Sequence, residues 1–329
     1  MLSSSLKRLH IGVSRCTPLE GPLPSDLFWR GLRLLSSLQE LSIAQFPLYT
    51  DPLDAGLSDA LLPLPALKNL AVHLTDPWAN CNSATYFLNH ITLSADCSLR
   101  IIDINPTTHV LNPSHEAFYI AISRVLDPHA HKVPLRTLRV ARSGQYEQRF
   151  SFWTQYPTRS ILSLDHSAML RAGLHPRLEI IVGDNDTSRI GDLLRWLPLY
   201  AVEGIVLSDG SITGWTSRVP APSVRVVAVS GTAPMPAINT LVAILVSFES
   251  MEALRELHLV GVPMAEGLET GMATLRRALQ RKDLQFTDRN PLRLVVGDPE
   301  LYSEMCKLAE GDPLMKSVEF VQSCLYGVV

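Results

Sequence analysis

Apolar and polar residues alternate in a short pattern that returns along the whole chain. An apolar residue is followed by two variable residues, an apolar residue, one variable residue and usually a third apolar residue; Gly183 and Gly297 take the third place in two copies. Apolar residues at alternate positions indicate a strand with one buried face, so the pattern predicts eleven short strands. The eleven copies start at Leu6, Leu38, Leu67, Leu99, Leu135, Leu178, Val202, Val224, Leu254, Leu292 and Met315.

Helical periodicity fills many of the intervals between these strands. Apolar residues recur at helical spacing within 27–35, 118–125, 190–197, 268–279 and 301–308. Within 27–35, Leu27, Gly31, Leu34 and Leu35 are expected on one helical face, the buried one. Asp298 before Pro299 is typical of a helix start, because the carboxylate caps the helix and proline suits its first turn.

Each unit of strand and helix is too small to bury a core of its own. Successive copies start 22 to 43 residues apart, so one unit orders about thirty residues around a handful of apolar side chains. Stacked units share their apolar faces and form a continuous core. The sequence therefore predicts an α/β solenoid of about 11 irregular repeats, with a curved parallel sheet inside and helices outside.

No linker interrupts this array, and we expect a single domain over residues 1–329. The widest gap between copies predicts an ordered insertion around 141–176, because Phe150, Phe152 and Trp153 make it too apolar for a linker. The longest apolar stretch, 235–248, is shorter than the roughly 20 residues that cross a bilayer, and it predicts a buried helix.

Composition narrows the class of partner. The 329 residues carry a net charge of −3, with 46% hydrophobic and 19% charged residues, which is typical of a globular protein. No overall basic field favours nucleic acid or an anionic membrane as partner, although Arg136, Arg139 and Arg142 leave a local basic patch open. Five widely spaced cysteines without a CxxC motif favour reduced thiols, and no signal segment is present. We therefore expect a cytoplasmic or nuclear protein.

Known catalytic and ligand-binding motifs are missing from the sequence. It contains no glycine-rich phosphate loop, no HExxH and no GxSxG. His129 and His131 are the closest approach to a metal pair, but they follow Pro128 and are expected in an exposed loop. We assign no catalytic residue, cofactor or metal and expect no enzyme; ten histidines still leave a Ser/His/Asp arrangement open.

The variable positions of each strand predict a concave binding face. In the first five copies this face is polar, and we expect a protein partner to contact Arg8, His10, Glu40, Asn69, His73, Asp103, Asn105 and Arg139, with Ser42 and Thr137 beside them. From the sixth copy the same face turns apolar, at Ile180, Val182, Val206, Val226, Ala228 and Leu294. Strands that are apolar on both faces are covered on both faces. Either the insertion, another segment of the chain or a partner provides the cover.

Four strand segments resemble those of leucine-rich repeats: LKRLHI at 6–11, LQELSI at 38–43, LKNLAV at 67–72 and LRELHL at 254–259. The irregular period and helical connections resemble the ribonuclease-inhibitor-like class, and more narrowly the degenerate repeats of fungal F-box-like proteins. The resemblance implies a leucine-rich-repeat solenoid that acts as a substrate receptor. The repeats would hold a protein target while an F-box module docks on a ubiquitin-ligase core. The Asn or Cys that usually follows the strand is replaced by Ser14, Phe46 and Val262, which implies irregular turns.

An F-box module itself is not expected within this chain. Its start is mimicked by Leu23-Pro24-Ser25-Asp26-Leu27, but the strand beginning at Leu38 leaves no room for three helices, so 23–35 is predicted as a repeat helix. A linked F-box would then be encoded upstream of Met1, and the chain would be part of a longer receptor. A free-standing structural or regulatory repeat protein without a ubiquitin link is the alternative, and a hydrolase or transferase with a hidden site is a third possibility.

Overall fold

A computed structural model describes residues 5–12, 25–44, 61–74, 79–103, 113–130, 133–142, 147–158, 166–183, 187–208, 222–247, 253–264, 266–281, 291–312 and 315–323. Within these ranges the chain forms two compact units. Unit 1 comprises Met1–Pro134, Pro176–Asp186 and Trp196–Pro198, and unit 2 comprises Leu135–His175, Thr187–Arg195 and Leu199–Val329. This division reflects packing density, and the single-domain assignment stays a prediction.

Unit 1 is built on a parallel sheet. In spatial order its strands are β1 (Arg8–Ile11), β2 (Glu40–Ile43), β4 (Asn69–Leu74), β6 (Ser98–Asp103) and β9 (Leu178–Gly183). Two shorter strands, β3 (Leu62–Leu64) and β5 (Ile91–Leu93), pair with each other in parallel. The helices are α1 (Ser25–Arg33), α2 (Ala79–Asn89) and α3 (Pro113–Ala130). β1, β2, β4 and β6 lie side by side in the order of the sequence, whereas β9 pairs with β6 although β7 and β8 come between them in the chain. Parallel neighbours need such crossover connections, and α1 and α2 lie within two of them.

Unit 2 repeats this plan with one antiparallel strand. The spatial order is β8 (Glu147–Trp153), β7 (Thr137–Arg142), β10 (Gly204–Ser208), β11 (Val226–Ser230), β12 (Glu256–Val260), β13 (Leu292–Val296) and β14 (Val318–Gln322). Only the pairing of β8 with β7 is antiparallel among these strands. The helices are α4 (His166–Arg171), α5 (Thr187–Trp196), α6 (Pro234–Ser247), α7 (Leu268–Arg281) and α8 (Pro299–Ala309).

All eleven strands predicted from the apolar pattern are present, and they pair in parallel. One buried apolar residue from each strand forms a continuous row in each unit, because partner residues of in-register strands lie on the same side of the sheet. These rows are Leu9, Leu41, Leu70, Leu99 and Leu178 in unit 1, and Leu138, Ile205, Val227, Leu257, Leu294 and Phe320 in unit 2. We call them the core rows. The prediction of a mixed α/β fold with a largely parallel sheet is confirmed.

The predicted register is wrong in several copies. Leu99 and Leu178 occupy the second apolar position of the pattern, not the first. In β13 the core residues are Leu294 and Val296, and Val295 lies on the opposite face. A slip of one residue exchanges the two faces of a strand, so Leu294 leaves the predicted concave face and Val295 joins it. The short apolar runs of these strands fit both registers equally well.

Helix ends and faces were predictable where local chemistry decides them. The backbone N–H of Leu301 donates to Asp298 Oδ1 at 2.7 Å, which confirms the cap of α8. In α1 the buried residues are Phe28, Trp29 and Leu32, and Leu27 is exposed. Just beyond the helix, Leu34 is exposed and Leu35 is buried, so the predicted face is wrong at Leu27 and Leu34 and right at Leu35. The two aromatic rings, which stack or pack edge-on against Phe87 of α2, determine how this helix is oriented.

Two further helices bear on sequence predictions. The long apolar stretch forms α6 as expected, with Ile238, Leu241 and Ile244 buried. Helix α3 continues through Pro128 to Ala130, so the predicted exposed loop at His129 is wrong; His131 lies outside the described residues. No helix in the described ranges has the length and apolar character needed to span a membrane.

Candidate interaction surface

One face of the unit 1 sheet is lined by polar side chains. Residues that alternate with the core rows form three further rows, and we call these together the polar face. Its first row contains Arg8, Glu40, Asn69 and Ser98, its second His10, Ser42, Ala71, Arg100 and Glu179, and its third His73, Ile102 and Ile181. Arg8, His10, Asn69 and Arg100 are exposed. Parallel in-register pairing therefore gathers residues from distant repeats on one surface.

A serine joins two histidines on this face. Ser42 Oγ lies 2.9 Å from His10 Nδ1 and 3.2 Å from His73 Nε2. A hydroxyl can donate to one ring and accept from the other, so the arrangement fixes the relative tautomers of the two imidazoles. The rings lie edge-on at a centroid distance of 6.4 Å. Three strands thus hold three polar side chains in one hydrogen-bonded group.

Gly12 provides the space in which the His10 ring lies. A Cβ atom at Gly12 would come within 2.6 Å of His10 Nε2, closer than side chains approach each other. Glycine at this position therefore permits the rotamer that brings His10 Nδ1 to Ser42.

Two ion pairs cross neighbouring strands of the polar face. Arg8 Nε lies 3.5 Å from Glu40 Oε2 in a solvent-exposed pair, which contributes little to stability. Arg100 Nε lies 2.8 Å from Glu179 Oε2, and the Glu179 side chain is only 7% exposed. The second pair is the stronger constraint, because a buried carboxylate is costly without its partner. The fixed charges of these four residues cancel.

Burial lowers the pKa of His73, and the positive charges of His10 and Arg100 lower it further. His73 is therefore neutral at pH 7 and acts as a hydrogen-bonding group. The polar face is thus rich in hydrogen-bond donors and acceptors, and the charges of its two ion pairs balance.

Five of the eight residues predicted to contact a partner lie on the polar face, namely Arg8, His10, Glu40, Asn69 and His73. The structure places two of the other three, Asp103 and Arg139, elsewhere. Asp103 pairs with Leu74, on the side of β6 opposite to the row of His73, as a consequence of the shifted register. Asn105 lies outside the described residues.

Arg139, the eighth residue, belongs to unit 2 and is 9% exposed. Its Nη1 donates to Met169 Sδ of α4 at 3.7 Å, so the inserted segment covers it. Thr137 of the same strand is also buried, and its hydroxyl donates to the carbonyl of Gln155 at 2.9 Å. Neither residue lies on an open surface.

The segment after β8 covers the first strands of unit 2. A Cβ atom at Gly204 would lie 2.4 Å from Pro157 Cβ, so this segment lies directly on β10. The Arg136 guanidinium stacks over the Tyr156 ring at 4.2 Å from its centroid. On the same side as Gly204, the cluster of Val206, Ala228, Val260 and Val295 is at most 6% exposed. The chain itself therefore buries these residues, as one of the two alternatives for this apolar face predicted.

Ile180 does not belong to that apolar face. It pairs with Ile101 in unit 1, on the same side as the core row. Val182 comes two residues after Ile180 in β9 and therefore lies on the same side of the strand. These two assignments were wrong for the same reason as those of Leu99 and Leu178.

Sequence reasoning missed Arg100 and Glu179, which lie in the second row of the polar face together with Ser42. They belong to the fourth and sixth copies, with the copy that starts at Leu135 between them, so the order of the repeats gave no sign that their strands are neighbours. Among the described residues, no group of three or more His, Cys, Asp or Glu side chains is placed to hold a metal ion.

No protein-family model matches the chain, and no curated protein matches its sequence.

Proposed function

We propose that this chain is a non-catalytic interaction scaffold whose polar face holds a protein target. The fold we propose for it is a leucine-rich-repeat solenoid, and the role we propose is target recognition for an F-box-like ubiquitin-ligase adaptor. The observation that carries the binding role is the group of His10, Ser42 and His73, held at hydrogen-bond distance by three strands on an open surface. Side chains that are fixed before binding lose little entropy on binding.

Target binding fits this surface better than chemistry does. The ring of His10 is exposed and the group lies on the sheet surface, where water competes for every hydrogen bond. A serine nucleophile needs a nearby base, which the group provides, but also oriented donors for the developing charge in a site shielded from water. An extended polar surface with a few ordered anchors is typical of protein recognition.

The binding role can be tested with a variant of the polar face. His10→Ala/Asn69→Ala removes two exposed side chains and leaves the pair of Arg100 with the buried Glu179 intact. We expect the variant to capture at least about tenfold less of the target in proximity labelling, which corresponds to about 1.4 kcal/mol. The matched control is Arg124→Ala/Asp127→Ala, which removes two exposed side chains of α3 in the same unit. Equal capture by wild type and both variants would contradict a target site on this face.

The ubiquitin-ligase link is tested separately. If the link holds, components of a ligase core are captured together with the target, and the genomic sequence before the codon of Met1 encodes an F-box. Capture of the target alone, with no ligase component in wild type, favours the free-standing regulatory protein.

A further inference from the structure

The two outermost strands of the described sheets both have an open edge. Among the described residues, β1 pairs only with β2 and β14 pairs only with β13. Leu9 and Ile11 of β1 are half exposed, and so are Val318 and Phe320 of β14, although each occupies a position that is buried in central strands. An open strand edge presents unpaired N–H and C=O groups and invites another strand.

The charges at the β14 edge alternate from strand to strand. Arg293 Nη1 lies 2.7 Å from Glu256 Oε1, and Arg293 Nε lies 3.5 Å from Glu319 Oε2. The exposure of these side chains rises toward the edge, from 28% for Glu256 to 40% for Arg293 and 53% for Glu319. The row therefore ends on a negative charge that is paired on one side only.

The β1 edge begins with the opposite charge at the same level. Arg8 immediately precedes Leu9 of the core row, as Glu319 immediately precedes Phe320. The Arg8 side chain is 80% exposed, and its pair with Glu40 leaves its other side open. If β1 of a second copy were placed beside β14 in parallel, the charges would read Glu256, Arg293, Glu319, Arg8, Glu40, alternating throughout.

Apolar contacts match in the same register. Phe320 would lie beside Leu9, and an open groove of about 730 Å³ runs along this edge between α8 and β14. Tyr302, Cys306 and Met315 line the groove together with Phe320. The half-exposed Leu9 and Ile11 are the apolar side chains that such pairing would bring to it.

We propose that β1 of a second copy of this chain adds in parallel to the open edge of β14, with Arg8 pairing with Glu319 and Leu9 packing beside Phe320. The contact joins two different edges, so it is heterologous and each pair keeps one edge of each kind free. A pair can therefore take up further copies as the concentration rises. This inference does not depend on the proposed target site.

Charge exchange tests the proposal on the full chain. We expect wild type to form oligomers in sedimentation velocity, with a mass that rises with concentration and falls with added salt. Glu319→Arg and Arg8→Glu should each raise the dissociation constant at least about tenfold at low salt. The double variant, and an equimolar mixture of the two single variants, should associate as wild type does, because each restores opposite charges at the contact.

The matched controls Asp127→Arg and Arg124→Glu make the same charge changes on exposed positions of α3 and should leave association unchanged. Hydrogen exchange provides a second measurement that needs no variant: amides of β1 and β14 should gain protection as the concentration of wild type rises. A wild-type chain that stays monomeric up to about 100 μM, a concentration far above the dissociation constants of typical specific contacts, overturns the proposal. So does association that neither single charge reversal weakens.

Discussion

The Cys97 thiol illustrates how position controls the chemistry of a single residue. Cys97 is fully buried just before β6, and burial raises the pKa of its thiol to about 11 despite the nearby positive charge of Arg177. The Arg177 guanidinium, itself buried, donates to the carbonyl of Cys97. The thiolate is the reactive form of cysteine, so this residue is chemically protected in two ways.

We expect native protein at pH 8 to resist alkylation at Cys97 and to react at Cys306, which is half exposed on α8. Iodoacetamide labelling followed by peptide mass spectrometry measures both sites in one experiment. In denaturant both cysteines should react, which controls for detection of the peptides. Equal labelling of Cys97 and Cys306 in the native state would contradict the burial of Cys97.

Gly204 and Pro157 are predicted to depend on each other. Gly204→Ala places a methyl group 2.4 Å from Pro157 Cβ, so the inserted segment must move and the free energy of unfolding should fall by about 1–3 kcal/mol. Pro157→Gly removes the ring atoms at this contact, and the double variant should recover most of that loss. Urea denaturation of the two single variants and the double variant gives the coupling energy. Additive effects would show that the two residues do not touch.

Among the elements, α8 has a well-defined start. Asp298 is extended, accepts from the N–H of Leu301 and is followed by Pro299. Asp298→Ala should lower the free energy of unfolding by about 0.5–2 kcal/mol, whereas Asp298→Asn or Asp298→Ser should cost only a fraction of that, because each keeps a capping oxygen. Thermal unfolding by circular dichroism measures the three variants, and an alanine variant as stable as wild type would exclude the cap.

The existence of eleven of the described strands was predictable, because each of these carries its own apolar pattern. Strand register was not always so. The run Leu292-Arg-Leu-Val-Val of β13 has apolar residues on both sides of the strand. Only the pairing with β12 decides that Leu294 is the core residue. The antiparallel β8 was not predicted either, because its residues match no repeat and its place depends on contacts with β7.

At the scale of the whole molecule, the candidate surface was predictable only in outline. The sequence places His10, Ser42 and His73 at variable positions of three strands, so their shared face follows from the repeat. The cover over Arg139 and Gly204 does not follow, because Met169 contacts the first and Pro157 the second, and both are far in sequence from the residues they cover. Local patterns therefore identify the sheet, and only tertiary packing shows which parts of it are open.

One titratable group in each unit is expected to control how the free energy of unfolding changes at acid pH. His73 in unit 1 has a pKa below its usual 6.5, chiefly through burial. Glu256 in unit 2 has a pKa below its usual 4.5, first because it accepts a hydrogen bond from His258 at 2.8 Å and also because Arg293 pairs with it. Because both pKa values are lower in the folded chain, the unfolded chain binds more protons at acid pH, and the free energy of unfolding must fall as pH falls.

The loss should come in two steps. The first begins below about pH 6.5 as His73 of the unfolded chain takes up a proton, and the second begins below about pH 4.5 for Glu256. His73→Gln should flatten the first step. Glu256→Gln should lower the free energy of unfolding at pH 7 by about 1–3 kcal/mol, through loss of charge-assisted hydrogen bonds, and flatten the second step. Urea titrations at intervals between pH 8 and pH 3 measure each slope. If both variants follow the wild-type curve in parallel, these two groups do not set the acid stability, and other carboxylates carry it.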